Sequence, residues 1–367
     1  MSAAAWPFYM ELALNSVEQG NLTEAEELCY SAVRYAEAID AQGRQLAASL
    51  EALASIASHR DRYLRAQHLY HRAFTILKNC RGAAAPETAA VLVKLAWACL
   101  QQDKHAEADP LFAEALALLD DIRPVHTVPL VRCLQGIGDI HRVAGRRVAA
   151  VVAYQRALAI QEQAEGAGAL SLMTTLHKMA DLYLGEARYQ DAEPLLWRAQ
   201  RIAVEQMGPE SAPVAVAMRK LAEMYRLQKK LEQADAILAR ALPIVENALG
   251  PADAEVARHF RQMSLVYTDQ ARYEDAANLL ARGITLLQEA LDPDHPEVAE
   301  LLELRAAALE VCHRRDESRA LRERVAAIRR KLSVDDLPDT DAMEFRPLQA
   351  TPPVRLPSLL CPPVRTS

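Results

Sequence analysis

Few side chains in this sequence are spaced for chemistry. His68 and His71, in the run HLYH, stand three apart and would share one face of a helix. A metal site can begin that way, but a third ligand would have to come from another element. Cys133 and His141 are eight apart, a spacing that suits a core and a rim position better than a nucleophile and its base. The six cysteines (Cys29, Cys80, Cys99, Cys133, Cys312, Cys361) form no CxxC pair, so neither a zinc knuckle nor a dithiol redox centre is indicated. No glycine-rich phosphate loop and no GxSxG elbow is present. The reading is a non-enzymatic protein with no cofactor and no metal.

The stronger signal is periodic. Small residues recur as Ala13, Ala54, Ala96, Gly138, Ala180, Ala222, Ser264 and Ala306, spaced 41 once and 42 thereafter. Twelve positions after each come Ala25, Ala66, Ala108, Ala150, Ala192, Ala234, Ala276 and Ser318. Seven further on come Ala32, Ala73, Ala115, Ala157, Ala199, Ala241, Gly283 and Val325. Apolar residues at helical spacing surround them, with a break near Gln228–Lys230 and its equivalents. Each unit therefore predicts two helices. The first two small residues sit where the pair crosses, and the third sits where the second helix meets the next unit. Gly82, Gly166, Gly208, Gly250 and Asp292, 42 or 84 apart, suit helix C-caps. Prolines shortly after them suit helix starts, and Pro243, deep in a second helix, predicts a kink.

Composition agrees. The chain has 367 residues, 51% hydrophobic, and 12 glycines, a balance that favours helix throughout. A net charge of −7 with both signs mixed argues against nucleic acid as a partner. No window approaches 18 apolar residues, so no membrane span is expected. The N-terminal MSAAAWPFYM lacks a basic region followed by an apolar run, so no export signal is expected either. Free, reduced cysteines in a cytoplasmic compartment follow.

The units resemble the tetratricopeptide repeat, in a 42-residue form similar to the repeats of kinesin light chains. LDPDHPEVA at Leu291–Ala299, MADLY at Met179–Tyr183, RYQDAEPLLWRA at Arg188–Ala199 and RYEDAANLLARG at Arg272–Gly283 carry the resemblance. It spans about nine-tenths of the chain. It implies an all-α solenoid of about eight stacked helix-turn-helix repeats in a right-handed superhelix, binding a protein or peptide. Residues 1–8 read as a lead-in, with Trp6, Phe8 and Tyr9 covering the exposed end. Residues 9–332 read as the array, closed by a degenerate eighth repeat as a polar cap. Residues 333–367 read as an acidic, then proline-rich, disordered tail.

In such a solenoid the first helices line the concave face. Residues one turn either side of the first small position then give the expected peptide groove: Trp97, Leu100, Arg132, Asp139, Arg142, His177, Lys178, Asp181, Arg219, Lys220, Glu223, Arg226, Arg258 and Arg261. Its N-terminal half reads as apolar, with Trp97 and Leu100 able to take an apolar anchor. Its C-terminal half reads as basic with interleaved acids, suited to an acidic extended ligand. The tail segment Val334–Phe345, with five acids and no base, is expected to compete for the same cations. The position after the first small residue never carries Asn, so the clamp of chaperone co-factors is not implied. Two positions before it there is also no Asn, so kinesin association is not implied. The competing reading is a regulatory sensor of a signalling peptide, or a packing module of a larger assembly.

Overall fold

The computed structural model describes residues 5–40, 43–81, 85–121, 127–291 and 293–335. Its sixteen helices are α1 (Ala5–Glu18), α2 (Leu22–Ile39), α3 (Arg44–His59), α4 (Tyr63–Arg81), α5 (Pro86–Leu100), α6 (His105–Asp121), α7 (Thr127–Val143), α8 (Arg147–Glu165), α9 (Leu172–Gly185), α10 (Tyr189–Met207), α11 (Ala212–Leu227), α12 (Leu231–Leu249), α13 (Ala254–Asp269), α14 (Tyr273–Ala290), α15 (Pro296–Val311) and α16 (Arg315–Asp335). Among the described residues there is no strand. Each odd helix packs on the even helix that follows, giving eight antiparallel pairs, and each even helix packs on the next odd one.

Packing follows the small residues. All three small positions are buried in every repeat, and Ala25, Ala66, Ala108, Ala150, Ala192, Ala234 and Ala276 are wholly enclosed. Even where the eighth repeat departs from the rule the site is closed: Ser318 donates from Oγ to the Ala306 carbonyl at 2.8 Å, and Val325 is buried. A larger side chain at a crossing would force the helices apart, because cores are packed to crystal-like density.

The turns inside the pairs obey a rule the glycines do not announce. The first helix of every repeat ends at a residue with positive φ: Gly20, Asp61, Asp103, Gly145, Ala187, Lys229, Ala271 and His313, between 55° and 77°. The next N–H reaches back five residues, as from Arg188 to Tyr183 O (2.9 Å) and from Arg272 to Tyr267 O (2.8 Å). This is a Schellman closure, and only two of its eight left-handed residues are glycine. The RY motifs are part of the same device. Arg188 and Arg272 stack on Tyr183 and Tyr267, 4.6 and 3.9 Å from the ring centres, and bond Asp191 and Asp275 one turn into the second helix.

Gly166, Gly208 and Gly250, all at positive φ, cap α8, α10 and α12 as expected. Gly82 and Asp292 lie outside the described residues. Pro243 is accommodated inside α12, which continues to Leu249. At the N-terminus Trp6 packs on the core and donates to Ser49 Oγ at 2.8 Å. Phe8 is 51% exposed and therefore does not cover the end. The helix α16 continues to Asp335. The proline-rich run and the acidic segment beyond its first two residues, Val334 and Asp335, lie outside the described residues.

Candidate functional site

Odd helices of adjacent repeats also pack directly on one another: α5 on α7, α7 on α9, α9 on α11 and α11 on α13. The even helices touch mainly their two odd neighbours. The odd helices therefore crowd the inner radius and form the concave wall, and the expected groove residues belong to five of them, α5, α7, α9, α11 and α13.

That face carries a ladder of ion pairs between repeats. Lys94 Nζ meets Glu51 at 2.8 Å, Lys178 Nζ meets Asp139 at 2.5 Å, and Lys220 Nζ meets Asp181 at 2.7 Å and, on its own helix, Glu223 at 3.4 Å. Further along, Arg219 donates Nε and Nη2 to Glu255, and Arg258 grips both oxygens of Glu297 at 2.8 and 3.0 Å. Arg226 meets Asp269 at 3.0 Å and Arg261 meets Glu300 at 3.4 Å. The arginine forks expected to await a ligand's carboxylates are thus already occupied by carboxylates of the neighbouring repeat. Glu255, Glu297, Glu300 and Asp269 were not singled out by the sequence reading. Their signal is an opposite charge one repeat away, at separations of 36 to 43 residues in the pairs that share hydrogen bonds. Arg132 and Arg142 differ: neither makes an ion pair among the described residues. Arg132 is exposed, and Arg142 lies against the Tyr154 hydroxyl.

At the centre of the wall three repeats meet. Lys178 of α9, bonded to Asp139 of α7, also lies 5.1 Å from the Trp97 ring centre of α5. Trp97 packs edge-on against Phe112 at 5.9 Å and donates Nε1 to the Arg132 carbonyl at 3.1 Å. Leu100, by contrast, is 8% exposed and belongs to the core, so the apolar anchor point expected of the pair reduces to Trp97. Asp139 is also buried, accepting from the Tyr154 hydroxyl at 2.5 Å. Burial, with the charge and hydrogen bond of Asp139, raises the Tyr154 pKa far above the ordinary phenol range. Two glycines make room for these rings. A Cβ on Gly136 would lie 2.2 Å from Phe112, and one on Gly138 would lie 2.4 Å from Tyr154. Beside them Gln135 donates to Thr175 (2.7 Å), which donates to Gln161 (2.6 Å). One repeat on, burial, together with the nearby Lys220 and Arg219 charges, lowers the His177 pKa to about 4, and its Nε2 has no hydrogen-bond partner among the described residues.

The N-terminal end of the wall carries a mainly apolar cleft with the Lys94–Glu51 pair at its side. A cleft of about 260 Å³ opens between α1 and α3, floored by Ala13, Ala52 and Ile56 and edged by Met10, Leu14, Val17 and His59. The superhelix then brings a distant repeat to its edge. His295, at the head of α15, accepts from Glu297 N through Nδ1 (3.2 Å), so its Nε2 is the N–H that donates to Asp61 in the α3–α4 turn. Burial raises the Asp61 pKa, but hydrogen bonds from His295 and Tyr63 and the charge of Arg258 outweigh it and hold the carboxyl below its usual range. Repeats 2 and 8 are therefore in contact.

The potential reactive groups are placed as packing. His68 and His71 are exposed on α4. Cys133 is buried, donates to the Phe112 carbonyl at 3.3 Å, and has its thiol pKa pushed up to about 12 by burial first and Asp120 second. Among the described residues no three metal-ligating side chains cluster, the cysteines present are free, and no helix is long and apolar enough to cross a membrane.

The tetratricopeptide repeat sequence profile matches residues 45–121, 130–205 and 213–289. Each segment spans about two of the 42-residue units. Among solved structures, aspartyl phosphate phosphatase F from Bacillus subtilis superposes with a TM-score of 0.55 at 12% identity, covering 90% of this chain and 95% of that one. The apo form of RapI gives 0.52 at 13% identity, over 87% and 85%. BtubC (BKLC) from P. vanneervenii gives 0.50 at 19% identity, over 62% and 91%. At such identities the likeness is one of fold. No curated protein sequence matches significantly.

Proposed function

Since the chain belongs to the tetratricopeptide repeat family, a scaffold typical of protein–protein interaction, we propose that it is a non-enzymatic adaptor holding an extended protein or peptide segment along the concave wall of repeats 3 to 7. The observation that carries this reading is that the inter-repeat ion ladder passes through Asp139 of repeat 4 but leaves the two arginines of that repeat outside it. Elsewhere the wall's cations are satisfied internally, whereas Arg132, whose carbonyl accepts from the half-buried Trp97, and Arg142, beside Tyr154, make no ion pair among the described residues. Two arginines three turns apart, the first beside an aromatic ring, suit an acidic ligand with one apolar anchor. The free, largely buried thiols support a reducing, cytoplasmic setting.

The test is partner isolation with the full chain, followed by Arg132→Glu with Arg142→Glu. We expect at least a tenfold loss of affinity with unchanged helical content. An unaltered partner would place binding on the edges or ends of the array instead. The acidic segment Asp336–Glu344 acts in this reading as an internal competitor. Neutralising its carboxylates in the full chain should tighten an external acidic peptide at low salt, with the gain shrinking at physiological salt.

One observation favours a regulatory sensor as the second reading. The contact of Asp61 with His295 joins repeats 2 and 8, so a ligand that altered the pitch of the array would make or break a defined contact. Fluorescence transfer between dyes on repeats 2 and 8, with and without partner, separates a switching array from a static one.

A further inference from the structure

The cleft between α1 and α3 adjoins the charged wall at one edge, where the Lys94–Glu51 pair lines it. Its lining is mainly aliphatic, with Glu51, Ser55, His59 and Lys94 along one side, and Leu14 at its mouth is 59% exposed. Isolated exposed leucines are ordinary, but one at the lip of an apolar cleft is an unfilled contact. At about 260 Å³ the cleft falls below the ~300–1,000 Å³ of small-molecule sites. It suits two or three side chains of a passing segment.

A connected series of contacts leads from this cleft to the end of the array. His59 lines the cleft. Asp61, two residues on, holds His295. Asp294, next to His295, is gripped by Arg324 and by Lys331 in the last turns of α16. The chain therefore leaves α16 beside the same edge of the array on which the cleft opens, although the two are six repeats apart in sequence.

The residues that follow hold a matching segment. Leu356–Val364 reads LPSLLCPPV, with Leu356, Leu359, Leu360 and Val364 and no charge, between Arg355 and Arg365. On α1, Glu11 and Glu18 lie on the same face as Leu14, one turn to either side of it, exposed and without an ion pair among the described residues. Aliphatic run and flanking arginines thus match the aliphatic side of the cleft and its flanking glutamates. The roughly 20 residues from Asp335 to Leu356 reach about 25 Å as a flexible coil and about 60 Å as extended polyproline II. Either suffices to cross one repeat edge, and tethering at such lengths gives effective concentrations in the mM range.

We propose that the cleft between α1 and α3 is the docking site of the chain's own segment Leu356–Val364, with the leucines in the cleft and the arginines on Glu11 and Glu18. Repeats 1 and 2 would then be covered by the chain itself, leaving repeats 3 to 7 for an external ligand. The inference does not depend on what that ligand is.

Cys361 supplies the test. In the full chain, in a Cys80→Ser background, Leu14→Cys is compared with Val148→Cys, which lies on the exposed face of α8 (80% exposed). Mild oxidation should give a disulfide from position 14 to Cys361 at least fivefold more often than from position 148, independently of protein concentration, as read by mass spectrometry of digested protein. Equal yields from the two positions would overturn the proposal. So would a yield that rises with protein concentration, which would place the tail of one copy on another. Adding Leu356→Asp with Leu360→Asp leaves Cys361 and the fold in place and should cut the position-14 product at least fivefold; an undiminished product would show that the leucines do not dock.

Discussion

Repeats 2 to 4 and repeats 5 to 7 share a fold but differ at one position of the second helix. The earlier three carry rings there, Tyr70, Phe112 and Tyr154; the later three carry Leu196, Leu238 and Leu280. Each ring meets the residue that follows the first small position on the partner helix. The Tyr70 hydroxyl is 3.0 Å from Ser55 Oγ, Phe112 packs edge-on to Trp97, and the Tyr154 hydroxyl bonds Asp139. The leucines offer no such partner. The corresponding Asp181 and Glu223 instead converge on Lys220. Ion pairs run along the array in both halves, as Lys94–Glu51 and Lys220–Asp181 do, and the N-terminal half adds ring contacts across its helix pairs. Bracing across a pair consumes polar groups in the interior, while bracing along the wall keeps charges within reach of solvent and of a ligand.

The sharpest way to break this comparison is to give repeat 4 the residue of repeat 5. Tyr154→Leu removes a fully buried ring and one donor from a buried carboxylate, and should cost about 2–4 kcal/mol in denaturant unfolding. Tyr154→Phe isolates the hydroxyl and should cost about 1–3 kcal/mol. A loss under about 0.5 kcal/mol for Tyr154→Leu would mean that the ring is not a brace.

Overpacking should be felt in both halves alike, since it tests close approach and not the bracing. Ala192→Leu in the leucine half and Gly136→Ala in the aromatic half should each lose about 1–3 kcal/mol. Gln190→Leu, exposed on α10, should stay within about 0.5 kcal/mol.

The smallest effect is electrostatic and confined to the later half. The folded His177 resists protonation until about pH 4, whereas in the unfolded chain it titrates near 6.5. Between those values the unfolded chain binds a proton that the folded chain refuses, so stability falls as pH drops through that window. His177→Gln should show a shallower decline than the unaltered chain between pH 6.5 and 4. His259 and His141, also shifted downward, contribute equally to both proteins and cancel. Identical slopes would mean that burial, with Lys220 and Arg219 nearby, does not hold His177 neutral in the folded chain.

The architecture was legible in the sequence because one physical requirement, small volume at helix crossings, repeats at fixed spacing. Ala180, Ala222 and their equivalents fix the pairing of all the helices without further information. The charged wall was legible in its membership but not in its state. Arg219 and Arg258 stand out as cations, yet whether they are free depends on Glu255 and Glu297, which lie a whole repeat away. Burial hid the rest: Leu100 and Asp139 share the helical register of exposed residues and are covered by packing that register alone does not express. The left-handed turns were missed because Ala187, Lys229 and Ala271 give no local sign of positive φ. Nothing local marks Asp61 and His295 as partners.

That last contact bears on how the molecule comes apart. In a linear array each repeat leans only on its neighbours, so stability is a chain of nearest-neighbour terms and the two ends fray independently. The bond from His295 to Asp61 adds a term that links repeat 8 to repeat 2. Loosening either end then removes support from the other. Repeats 2 to 8 should then melt as a closed circuit, while repeat 1, outside it, can fray alone.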